Sequence, residues 1–95
     1  MQALLIYDLN FGQSELKTLM RSRGYFSAWV SNGVTYQLPQ STLWKPDLEL
    51  KTALTDIQNS IAELNRTGQF SLNNIILTRC IVVSASPWDG IPGIP

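Results

Sequence analysis

Asp8 ends the run LLIYDLN, a carboxylate placed where an apolar strand gives way to a turn. Such a group has two physical uses. It can hold a hard divalent cation, Mg2+ or Mn2+, which takes oxygen ligands, or it can close the strand and cap the Asn10-Phe11-Gly12 turn. Lys17, Arg21 and Arg23 follow with no acid among them. They form either a phosphate-binding stripe or the solvated outer face of a helix. Ser41, Thr42 and Trp44 lie between Pro39 and Pro46. Hydroxyls beside an aromatic ring suit a single-stranded nucleic acid, with Trp44 or Trp29 as the stacking platform. The same hydroxyls can instead satisfy local backbone groups while Trp44 packs on a sheet edge.

The rest of the inventory excludes more than it offers. The chain has no His and one Cys, Cys80, so ordinary zinc sites and Ser-His-Asp or Cys-His catalysis within one chain are ruled out. Cys80 sits among Ile and Val and reads as core, without a disulfide and in a reducing, cytoplasmic setting. Arg79 beside it needs solvent, a partner or a counter-ion. If the first and last strands end together, an Arg79–Asp8 pair competes directly with metal binding. Asp89, in the PWDG turn with Trp88, is a candidate second ligand if that turn folds back, or part of a C-terminal lid.

Seven basic residues balance seven acidic ones, which removes the general attraction for phosphate backbones. Charged residues make up 15% of the 95-residue chain, below the roughly 25% usual for soluble domains. A small, charge-poor chain with nine aromatic side chains is expected to cover surface with a second copy of itself. No signal-peptide pattern and no membrane-spanning apolar run is present.

These residues need elements to position them. Residues 3–9 form a nearly continuous apolar run, as in a central strand. Ser14 offers an N-cap, and Leu16, Leu19, Met20 and Tyr25 share one helical face that Gly24 ends. Asn32-Gly33 suits a two-residue hairpin turn between strands at about 25–31 and 34–38. PQSTLWKP reads as a connecting loop between prolines. A helix opening at Pro46-Asp47 carries the stripe Leu50, Leu54, Ile57, Ile61 and Leu64, with Ala53 beside it, an Asp47–Lys51 pair and a stop at Gly68. IILTRCIVVSA is a long final strand, and residues 86–95 form an irregular Pro/Gly-rich tail. The order β-α-β-β-α-β in one α+β domain predicts a ferredoxin-like, four-stranded antiparallel sheet with both helices on one face.

The strand ending in Tyr-Asp-Leu, the STLW segment, the amphipathic helix, and CIVVSA leading into PWDG together resemble a known group. They are similar to the small ferredoxin-like proteins related to the smaller subunit of the CRISPR spacer-acquisition complex and its stand-alone bacterial relatives. That resemblance implies a symmetric homodimer and, in some members, metal-dependent cleavage of RNA or DNA. The strand-end Asp of each protomer, here matched by Asp8, then faces its symmetry mate and serves as a metal ligand or water-orienting group. The chain departs from an active member in having neither a basic surplus nor a His. Three functions stay open: a nucleic-acid-associated nuclease using Asp8, a non-enzymatic interaction or scaffold module, and a small-molecule-binding regulatory domain with a pocket between protomers lined by Trp29, Tyr36 or Trp44.

Overall fold

A computed structural model describes residues 2–67, 74–85, 89, 90 and 92. Every charged side chain lies among them. Gly68, Trp88 and most of the Pro/Gly-rich tail, each read from the sequence above, lie outside the described residues.

The elements run β1 (Ala3–Leu9), α1 (Gln13–Ser22), β2 (Ala28–Ser31), β3 (Val34–Gln37), β4 (Thr42–Lys45), α2 (Leu50–Arg66) and β5 (Leu77–Ser84). The structure is α+β and its sheets are antiparallel. β1 is central in a three-stranded sheet of order β4-β1-β5, and β2 with β3 forms a separate two-stranded sheet. Period-two alternation sends Ala3, Leu5, Tyr7 and Leu9 into the core. There they meet Leu16 and Met20 of α1, and Ala53, Ile57, Ile61 and Leu64 of α2, so both helices cover the same sheet face. Leu4, Ile6 and Asp8 point to the other face.

The expected four-stranded sheet is not what forms. The hairpin at 28–37 has the turn its sequence dictates, with φ of 50° at Asn32 and 76° at Gly33, both in the left-handed region that a two-residue hairpin turn needs. Among the described residues its strands form ladder pairs only with each other. The strand beside β1 is β4, inside the segment read as a loop, with Leu5 opposite Leu43 and Ile6 opposite Thr42. Prolines at 39 and 46 bound it without entering it, so every β4 residue keeps its backbone donor. One bridge, Phe26 to Trp44, extends the sheet past β4.

Helix starts also differ from expectation. Gly12, at φ 84°, precedes α1 in the position expected of Ser14 and gives no side-chain cap. Asp47 has φ 53° and lies in the turn before α2, which begins at Leu50 with Glu49 as its N-cap residue. The Asp47–Lys51 helical pair therefore does not form. The α2 stripe is also rotated: Ala53 and Ser60 are buried, while Leu54 is 36% exposed. Leu50, Ala53, Ile57, Ile61 and Leu64 keep the 3.6-residue period from that later start.

A polar seam joins the helices. Arg23, just past α1, donates from Nη1 to Ser60 Oγ at 2.7 Å and pairs through Nη2 with Glu63. The buried Ser60 hydroxyl donates in turn to the Asp56 carbonyl at 2.8 Å. Tyr25 Oη donates to Asp56 Oδ2 at 2.7 Å, with Lys45 Nζ 5.4 Å from its ring centroid. The rotation of α2 is testable by chemical denaturation. Ile57→Ala should cost about 2–5 kcal/mol, as buried large-to-small changes do, whereas Leu54→Ala should cost under about 1 kcal/mol.

Candidate functional site on the outer sheet face

The outer face is built by strand alternation and register. Residues directly opposite one another share a face, so Leu4 stands beside Trp44 and Val83, Ile6 beside Thr42 and Ile81, and Asp8 beside Arg79. The β5 side of this face is open and apolar. Ile6 is 45% exposed, Ile81 61% and Val83 38%.

Asp8 closes the apolar stripe as a member of an ion pair. Arg79 Nε lies 2.9 Å from Asp8 Oδ2, the side chains being 82% and 53% exposed respectively. The Asp8 carbonyl accepts from Thr78 Oγ1 at 3.0 Å. This is the pairing weighed in the sequence against metal binding. Within one chain a divalent cation would meet a single carboxylate with a guanidinium beside it, a poor donor set for Mg2+ or Mn2+. Among the described residues no group of three or more His, Cys, Asp or Glu side chains converges on one point. Asp89 lines a different cleft, bounded by Leu4, Ile6 and Thr42.

The cationic stripe divides on inspection. Lys17 Nζ donates to the Gln40 carbonyl at 2.6 Å, and Arg23 is held in the helix seam. Arg21 is exposed in the last turn of α1, where a cation complements the helix dipole. Two of the three therefore have structural partners that a phosphate would have to displace.

Thr42 and Trp44 belong to β4 rather than to a loop, and Ser41 is the turn residue just before it. The Ser41 carbonyl accepts the Tyr7 amide at 3.1 Å. Thr42 is buried. Trp44 Nε1 donates to the Ala28 carbonyl at 2.7 Å, and its ring packs against Phe26 and edge-on to Trp29, with centroids 5.3 and 5.5 Å away. Trp44 is thus the fastener between sheet and hairpin. Sequence reasoning missed both this role and the Arg23 seam. The signal for the seam was the spacing of Asp56, Ser60 and Glu63, at four and three residues on one face of α2.

Three core groups have displaced acidities; the Tyr25 phenol is pushed up by burial and by its hydrogen bond to the Asp56 carboxylate. Burial, with a smaller contribution from the facing Cys80, pushes the Tyr7 phenol from 10.0 up to about 12. Burial also raises the Cys80 thiol, which disfavours the reactive thiolate. Comparison with known proteins assigns no family: no family model matches the chain, and no curated protein or solved structure matches it either.

Between pH 10 and 12 the unfolded chain loses the Tyr7 proton that the folded chain keeps, so stability falls as pH rises. Two units correspond to about 2–3 kcal/mol lost over that window. Unfolding free energies from denaturation measured across it should fall by at least that much, since the raised Tyr25 phenol adds a loss of the same sign, and Tyr7→Phe should lessen the slope without abolishing it. Asp8→Asn, which breaks an exposed pair, should cost under about 1 kcal/mol at neutral pH in the same assay.

Proposed function

We propose that this chain is a non-enzymatic interaction module that pairs with a second copy of itself through the β5 side of its outer sheet face. The observation that carries this reading is the stripe of Ile6, Ile81 and Val83 ending in the Asp8–Arg79 pair. Contiguous exposed apolar surface favours a partner. One acid and one base on the same patch make it self-complementary, as a two-fold interface requires. The balanced net charge supports a protein partner over a phosphate backbone.

In this reading the fold is a ferredoxin-like arrangement whose fourth strand has shrunk to the Phe26–Trp44 bridge, the rest of it curling away as the hairpin. The order β5-β1-β4 followed by Phe26 supports that description. Among the described residues no helix is long and apolar enough to cross a membrane, and the lone Cys80 fits a cytoplasmic setting.

A second reading keeps the CRISPR-adaptation-like resemblance: a nucleic-acid-associated, metal-dependent nuclease. It draws support from the half-exposed position of Asp8 on the face proposed to pair, since a two-fold axis there would bring two such carboxylates towards each other. It requires Asp8 to exchange Arg79 for its symmetry mate.

Light scattering from about 1 to 100 μM tests the first reading. Wild type should be dimeric at the upper end, and Ile81→Lys should be monomeric with an unchanged circular dichroism spectrum. A wild type that stays monomeric throughout overturns it. Cleavage of labelled RNA and DNA with Mg2+ or Mn2+ separates the second reading. Cutting that Asp8→Asn abolishes in a folded dimer would replace the scaffold with an enzyme.

A further inference from the structure

The β4 side of the outer face is roofed rather than open. Trp29 and Tyr36 stand directly opposite each other in the hairpin, and with Leu4, Ile6 and Thr42 of the sheet they enclose a cleft of about 660 Å3. That volume lies within the range of small-molecule sites. Asp89 stands at this cleft, in a tail tied to the hairpin by the Gln37 amide, which donates to the Pro92 carbonyl at 3.1 Å. Asp89 is the one charged residue among the described lining residues, and no undescribed residue of the chain carries a charged side chain. Its Oδ1 accepts the Gly90 amide at 2.8 Å, and no basic side chain lies within ion-pair distance of it among the described residues.

We infer that this cleft binds a small organic cation: a primary amine carrying a flat apolar or aromatic group. Two features select that class. Aromatic faces attract a cation electrostatically, and the single uncompensated carboxylate complements an ammonium while repelling an acid of the same shape. The apolar floor of Leu4 and Ile6 takes the hydrocarbon part. This site shares Ile6 with the proposed dimer face, whose other apolar residues, Ile81 and Val83, lie on the far side of β1.

Isothermal titration of the full chain tests the inference with three probes of matched shape: phenethylamine, phenethyl alcohol and hydrocinnamate. The amine should bind with a Kd of about 1 mM or tighter. The alcohol should bind about tenfold more weakly and the acid more weakly still. Asp89→Asn, a change at an exposed position, should reduce the preference for amine over alcohol to the smaller part supplied by the aromatic faces. Three results overturn the inference: no binding of the amine, equal binding of amine and alcohol by wild type, or an amine preference that Asp89→Asn does not diminish. Light scattering of the same Asp89→Asn sample reads the dimer separately, so failure of one proposal does not resemble failure of the other.

Discussion

Hydrogen bonding along both edges of β1 is the constraint from which the other arrangements follow. With β4 on one side and β5 on the other, a shift of one residue would turn Leu5 and Tyr7 outwards and Asp8 into the helices. Burying an unpaired carboxylate is prohibitive, so the register is locked by Asp8 as firmly as by the apolar residues. Both helices must then lie on the Leu5 side, and whatever stands on the Ile6 side is left for the hairpin or a partner. Asp8 thus helps to specify the fold whether or not it does chemistry.

The outer face is divided between two physical situations. On the β4 side, Trp44 fastens the hairpin and produces an aromatic-walled cleft with one carboxylate. On the β5 side, Ile81 and Val83 have no cover among the described residues. A chain with few charges leaves apolar area at its surface; some of it is scattered, as at Val30 of the hairpin and Leu54 of α2, but Ile6, Ile81 and Val83 adjoin one another on this face. The exposed ion pair at its end contributes little to stability; its value is in orienting whatever docks there, since charges at a rim fix register more than affinity.

Legibility from the sequence followed the strength of the local signals. Leu16, Met20, Ile57 and Leu64 repeat at a helical period and were readable as core. Asn32-Gly33 announced its turn, because few dipeptides accept two positive φ values. β4 was hidden because four residues carry no resolvable period, and prolines on either side suggested a loop. The start of α2 was misplaced because Pro46-Asp47 resembles a helix opening, whereas Asp47 adopts a left-handed turn. Of the candidate site, the Asp8–Arg79 pair was readable from two strand ends. The cleft was legible in part: Trp29 and Tyr36 were expected to line a pocket between protomers, but the cleft lies within one chain, and a hairpin docking that no spacing encodes brings Asp89 to it.

The partnership of β1 with β5 also governs how the molecule can come into being. Asn10 clamps the two strands where they meet, its Oδ1 accepting the Ile76 amide at 2.7 Å and its Nδ2 donating to the Asn74 carbonyl at 3.0 Å. These contacts join residues more than sixty positions apart. During synthesis the central strand must therefore wait, one edge unpaired and its apolar side chains unsheltered, until almost the last strand has left the ribosome. Pairings so distant in sequence form slowly, and a waiting strand is exposed to aggregation. The same topology that gives the finished molecule its ordered face makes the nascent chain a natural client for a chaperone.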